Sequence, residues 1–245
     1  MKSMVKKIFL IVTVVLCCGA VGIGGGWCAT QQDDSLCTIV QVVVKDSLER
    51  QFVDVDELTG YLKQHRFYPE GKTMTTIDCH AIEECLQKHD MVREVECYKS
   101  PFGCVNIVVE QRVPKLQVVS NDGCYYVDTD RRIMPARQQI EVEVPVFKGN
   151  VSERAAREEY FDFVDWLNSN RYWRTRICDV YVANPKHLIL AQKGENTKII
   201  LGPLDEYSEK LNKLQKLYTK GFSQIGYPDV SEYDLRFTGQ VVGRK

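Results

Sequence analysis

The stretch "IDCHAIEECLQKHD" places Cys79, His80, Cys85 and His89 close together. Two thiols and two imidazoles are the side chains that hold zinc. The same stretch reads as a helix capped by Asp78 and turned inward through Ile82, Cys85 and Leu86. At the pitch of an α-helix, Cys79 and Cys85 point roughly 120° apart, so they cannot converge on one ion unaided. Other catalytic signals are weaker. "GFSQIG" has a serine between glycines but not the G-x-S-x-G spacing of a nucleophile elbow. H-E-x-x-H is absent, and "GIGGG" lies inside an apolar run with no strand before it. His65, His80, His89 and His187 are the only histidines, and none stands in a motif with Ser, Cys or Asp. Glu83-Glu84 and Glu158-Glu159 read as solvated helix faces. The reading is a protein with no catalytic residues, no metal site and no cofactor, and so not an enzyme.

Ten cysteines are many for 245 residues. Cys17, Cys18 and Cys28 fall in or at the edge of an N-terminal apolar run. Cys37, Cys79, Cys85, Cys97, Cys104, Cys124 and Cys178 lie beyond it. An odd number cannot all pair within one chain, and free cysteines pack as small hydrophobes. Cys97 and Cys104 flank a hairpin turn and are the pair expected to form a disulfide in an oxidising compartment.

The remaining chemistry is that of a surface. "EYDLRFTGQVVGRK" alternates like a half-buried strand. A terminal strand of this kind is expected at a sheet edge, where unpaired backbone groups can accept another chain.

These features need an architecture to position them. Lys2, Lys6 and Lys7 precede an uncharged run from Ile8 to Ala29, with Trp27 near its far end and Asp33 and Asp34 beyond. About twenty helical residues span a bilayer core, and positive charge on the near side predicts a cytoplasmic N-terminus with the remainder exported. The run is therefore expected to be a retained anchor rather than a cleaved signal peptide. Setting residues 1–28 aside leaves 29 basic against 33 acidic residues, a net −4. That argues against nucleic acid, which needs a clustered basic surface.

After the anchor, "CTIVQVVVKD" alternates as a strand. "DVDELTGYLKQH" starts with a capping-box-like Asp54 and Glu57 and has an apolar face of Leu58, Tyr61 and Leu62. The Cys79 helix follows. "MVREVECY" and "CVNIVVEQR" are strands joined by "KSPFG". From Pro114 the strands shorten: "KLQVVS", "CYYVDTD", "RRIMP" and "VPVFKG". "SERAAREEYFDFVDWLNSN" reads as one amphipathic helix capped by Ser152. "RICDVYVAN", "HLILAQK" and "TKIILG" form a three-strand meander. "DEYSEKLNKLQKLYTKG" is a helix with a buried stripe of Tyr207, Leu211, Leu214 and Tyr218 and with Gly221 as C-cap. The fold class is α+β: a transmembrane helix, a small α/β module and a strand-rich β domain with two helices. The expected limits are a cytoplasmic tail 1–7, span 8–29, linker 30–36, module 37–113 and β domain 114–245.

Four stretches in order resemble the FtsQ/DivIB cell-division proteins. "VREVECYKSPFGCVNIVVEQRVPKLQV" is similar to that family's closing hairpin of a POTRA module, running through Arg112 and Pro114 into the next domain. "GCYYVDTDRRIMP" resembles its G-x-x-x-x-D-x-x-G hairpin, with Arg132 where glycine is usual. "VPVFKG" resembles its next strand. "IILGPLDEYSEKLNKLQKLY" with "YDLRFTGQVV" resembles its last helix and terminal strand. The resemblance implies a non-enzymatic, single-pass inner-membrane scaffold at the division septum. It would bind FtsB/DivIC-like and FtsL-like single-span partners and control septal peptidoglycan synthesis. The POTRA module would serve recruitment. The partner strand would meet Tyr233 to Val242, through Tyr233, Leu235, Arg236, Phe237, Thr238, Gly239, Gln240 and Val241. Within that set, Phe237 would anchor, Arg236 would pair with an acidic residue, and Gly239 would admit close backbone approach. The alternatives are a POTRA-containing envelope translocation or assembly factor and an unassigned envelope hydrolase.

Overall fold

The computed structural model describes residues 35–45, 52–121, 123–136, 142–222 and 230–245. The expected tail, span and most of the linker lie outside these residues, as do Cys17, Cys18 and Cys28. Among the described residues no helix is long and apolar enough to cross a membrane. The chain divides into two compact units. One holds 35–45, 54–88 and 94–109, and the other 52–53, 89–93 and 110–245.

The first unit is built on a three-stranded sheet in the order β1 (Ile39–Val44), β3 (Cys104–Gln111), β2 (Val92–Ser100). β1 runs parallel to β3, from Ile39 opposite Cys104 to Val44 opposite Val109. A parallel pair needs a long crossover, and α1 (Val55–Gln64) and α2 (Cys79–Gln87) lie within it. Each helix begins as its sequence requires. The Asp54 carboxylate accepts from the Glu57 amide at 2.7 Å, and that of Asp78 from the Ala81 amide at 3.2 Å. Leu58 and Leu62 of α1, Ile82, Cys85 and Leu86 of α2, and Val105, Ile107 and Val109 of β3 are buried.

The Cys97–Cys104 disulfide is corrected by this sheet: both thiols are free. In β3, Cys104 alternates with the buried Val105, Ile107 and Val109, so it lies on the face away from the core. Cys97 lies on the other face. Its amide donates to Glu83 of α2 at 2.7 Å, and its thiol has Cys79, at the start of the same helix, as a neighbour. Burial, followed by that thiol neighbour, pushes the Cys97 thiol far above its ordinary pKa. Flanking a turn is not sufficient when the side chains leave opposite faces of the sheet.

The second unit is a nine-stranded mixed sheet, ordered β12-β11-β10-β9-β8-β7-β4-β5-β6. Its strands are β4 (Pro114–Ser120), β5 (Gly123–Asp128), β6 (Ile133–Pro135), β7 (Val146–Gly149), β8 (Ile177–Asn184), β9 (His187–Gln192), β10 (Lys198–Gly202), β11 (Glu232–Asp234) and β12 (Val242–Arg244). The expected meander is present as antiparallel β8-β9-β10. β7 is parallel to β4 and β8, and β10 is parallel to β11. Helices fill the β7–β8 and β10–β11 crossovers: α3 (Glu153–Arg157) with α4 (Glu159–Ser169), and then α5 (Tyr207–Lys216). One core joins Val118, Phe147, Val180 and Leu190 of the strands to Tyr160, Phe163, Leu167, Leu211, Leu214 and Tyr218 of the helical segments.

Three local readings change. The helix expected over 152–170 is broken at Glu158 (φ −109°, ψ −86°). The Arg157 carbonyl, which a continuous helix would give to the residue four on, accepts from the Arg131 guanidinium at 3.0 Å. Arg157 Nε returns a bond to the Arg131 carbonyl at 2.7 Å. The left-handed residue of the β5–β6 turn is Arg131 (φ 61°), one place before the Arg132 expected to replace glycine. Gly221 does not cap α5, because the chain continues through a π-helical turn, Leu217–Gly221.

Candidate interaction surface at the sheet edge

The final segment is not one edge strand. β11 is paired on both sides, parallel to β10 and antiparallel to β12. The edge is β12, and residues 235–241 are the loop between the two strands.

Asp234 makes that turn. Its side chain is 0% exposed. Its Oδ1 accepts from the Arg236 amide at 3.1 Å and from Arg236 Nε at 2.9 Å. Its Oδ2 accepts from Arg236 Nη2 at 2.6 Å and from Arg244 Nη2 at 3.0 Å. These bonds, led by the Arg236 side chain, hold the carboxyl below its ordinary pKa despite burial. Arg244 also reaches Glu232 at 3.2 Å. Arg244 therefore ties the last strand to its neighbour, and Arg236 closes the turn that leaves β11. Gly202 (φ 78°) makes room for this arrangement, since a Cβ there would lie 2.8 Å from Arg236 Cγ.

The expected contact residues separate into three groups. Tyr233 and Leu235 are 4% and 2% exposed and belong to the core, with the Tyr233 ring edge-on to Tyr218 at 5.5 Å. Their side chains are therefore packed inward rather than presented on the surface. Arg236 is committed to Asp234, so it is a brace for the turn rather than an unpaired cation. Phe237, Thr238, Gly239 and Gln240 are exposed, and Val241 packs partly against the core. The reason given for Gly239 also changes. Nothing lies within 4 Å of a Cβ at Gly239, and its requirement is its φ of 82°. The Gln240 amide points back to the Phe237 carbonyl at 3.5 Å rather than to a sheet edge.

Residues outside the expected set complete the surface. Loop 235–241 and α5 line a shallow groove, where Phe237 and Thr238 face Glu206, Glu209, Lys210 and Lys213. Lys210 Nζ donates to the Pro203 carbonyl at 3.1 Å and pairs with Asp205. On β12, Val242 and Arg244 stand opposite Asp234 and Glu232. Backbone direction alternates along a strand, so the N–H and C=O of Gly243 turn toward the open side. Among the described residues no strand pairs with β12 beyond β11. Two sequence signals pointed this way: glycine inside a strand pattern marks a break, and Asp234 two residues before Arg236 marks an Asx turn. The groove wall on α5 had no signal, since solvated lysines and glutamates there look like any helix face. Among the described residues no three His, Cys, Asp or Glu side chains gather as metal ligands.

Comparison with known proteins accords with this geometry. Residues 35–110 match a POTRA-like domain, and residues 113–244 match the family model described as FtsQ/DivIB, C-terminal related. No curated protein matches the chain. The second match takes in more than half of the 245 residues and all of the nine-stranded sheet with its β12 edge, and on that ground the chain belongs to the FtsQ/DivIB family of cell-division proteins.

Proposed function

We propose that this chain is a non-enzymatic divisome scaffold whose β12 edge receives a short strand from an FtsB/DivIC-like partner, with an FtsL-like protein in the same complex. The open backbone of β12, at the end of the family's own domain, carries the reading. Strand addition takes its energy from main-chain bonds and its choice of partner from side chains beside the edge. Phe237, 44% exposed beside the α5 groove, supplies the apolar contact. Thr238, Gly239 and Gln240 shape the loop that presents it. The lysines and glutamates of α5 offer both signs of charge to a helical or extended partner segment. In this reading residues 1–7 are cytoplasmic, 8–29 anchor the protein in the inner membrane, and the units after linker 30–36 work outside it at the septum. There they control peptidoglycan synthesis by holding partners rather than by chemistry.

The test is co-purification of the full-length chain with the partner, together with rescue of depleted cells. Gly243→Pro removes the donor facing the open side while leaving the bonds to β11. Phe237→Ala should cost about 2 kcal/mol of binding if the ring is buried by the partner. Depleted cells should form filaments, and neither variant should fully restore septa. Folded variants that bind and rescue normally would show that the edge is packing only. Outer-membrane assembly defects with normal septa would favour the translocation-factor reading.

A further inference from the structure

The β2–β3 turn, Pro101-Phe102-Gly103, carries the most exposed large apolar side chain described. Phe102 is 95% exposed. It is also a non-glycine residue at φ 64°, a region that bulky side chains seldom occupy. An aromatic held in a left-handed turn and surrounded by solvent gains nothing from the fold, so the conformation points outward to a ligand. The turn is fixed to the beginning of the first unit. The Gly103 carbonyl accepts from the amides of Thr38 and Ile39 at 2.9 and 3.3 Å. A Cβ on Gly103 would lie 2.4 Å from the Leu36 carbonyl oxygen, so the two segments are in close contact. Leu36 and Ile39 are each 56% exposed. Phe102, Leu36 and Ile39 thus stand at one end of the three-stranded sheet and form an exposed apolar tip.

Position in the chain says what covers this tip. The apolar run ends at Ala29, and Leu36 follows seven residues later. Even fully extended, that connection reaches only about 25 Å. On the reading that 8–29 is an anchor, the tip cannot leave the neighbourhood of the bilayer surface. We propose that Phe102, with Leu36 and Ile39, inserts into the outer face of the membrane and gives the first unit a second, reversible contact beside its anchor. Burying one aromatic ring shifts an equilibrium by about 10- to 100-fold, too little to hold a free domain on lipid. A short tether adds an effective concentration of about millimolar, which makes the weak contact populated. Asp33 and Asp34 precede the tip, so the contact is apolar rather than a basic patch on anionic lipid. It should persist in zwitterionic vesicles and at high salt.

The experiment uses the full-length chain with an environment-sensitive fluorescent amino acid in place of Phe102, reconstituted in phosphatidylcholine vesicles. Nitroxide lipids labelled at a shallow depth should quench the probe several-fold more strongly than in the same chain carrying Leu36→Glu and Ile39→Glu. Both substitutions are at exposed positions, and circular dichroism checks that the fold is kept. A probe untouched by lipid nitroxide but open to aqueous acrylamide overturns the proposal. A probe shielded from both quenchers also overturns it, because the tip is then covered by protein. Extraction of the chain by alkaline carbonate would overturn the anchor, and this contact with it. Failure at residue 102 alone leaves the anchor standing.

Discussion

Replacing Asp234 by Asn tests the brace behind the β12 edge. The carboxylate is fully buried and accepts four hydrogen bonds, three from Arg236 and one from Arg244. Breaking a fully buried charge pair costs about 3–5 kcal/mol. Here the Arg236 and Arg244 side chains are 38% and 46% exposed, so the freed guanidinium groups return largely to water and the cost is reduced. Asn keeps the shape and one acceptor, which leaves about 2–3 kcal/mol of destabilisation. For a domain of this size that is a drop of roughly 6–12 °C in melting temperature, measured by circular dichroism at pH 7. Because the Arg244 bond joins β11 to β12 and the Arg236 bonds hold the loop between them, Asp234→Asn should also weaken the partner complex of a still-folded protein. The sign with pH follows from the lowered pKa of Asp234. Its contribution is fully present above the unfolded value of about 3.9 and is lost as pH falls through the lower folded value. The gap between parent and variant should therefore stay constant from pH 7 to about 5 and narrow only below about 4. A variant melting within about 2 °C of the parent at pH 7 would refute the brace.

Three further outcomes are expected. Gly149→Ala should destabilise by more than about 3 kcal/mol in urea unfolding, because a Cβ there would lie 2.5 Å from the Val182 carbonyl oxygen at φ 103°. Gly239→Ala should cost only about 1 kcal/mol by the same assay, since its φ of 82° is the sole obstacle and the space around it is open. Peptide mapping of the non-reduced protein should find no Cys97–Cys104 disulfide; recovery of that peptide would overturn the assignment of the two thiols to opposite faces.

Much of the fold was legible because it depends on local periodicity. Alternation marked β2, β3 and the β8-β9-β10 meander. Asp54 and Asp78 marked the starts of α1 and α2, and the Leu211, Leu214 and Tyr218 stripe marked the face that α5 and the π-helical turn after it bury. The terminal edge was legible only as an expectation of a strand. "EYDLRFTGQVV" alternates well enough to suggest one strand, yet Gly239 and the Asp234–Arg236 turn divide it. A period-2 pattern records which residues are buried, and Tyr233 and Leu235 are buried whether the chain then continues straight or turns.

What the amino-acid sequence determined by itself was therefore the set of elements, their caps and their inward faces, since these follow from backbone sterics and side-chain spacing along a few neighbouring residues. Only the tertiary structure decided which strand is the edge, which arginine is committed and which cysteines are neighbours. Those answers depend on groups far apart in the chain: Arg244 reaching Asp234, Arg131 taking the carbonyl that would have continued α3, and Cys79 meeting Cys97 across a helix–sheet interface. A short-range pattern carries no record of such partners, because their pairing energy exists only after the sheet has assembled.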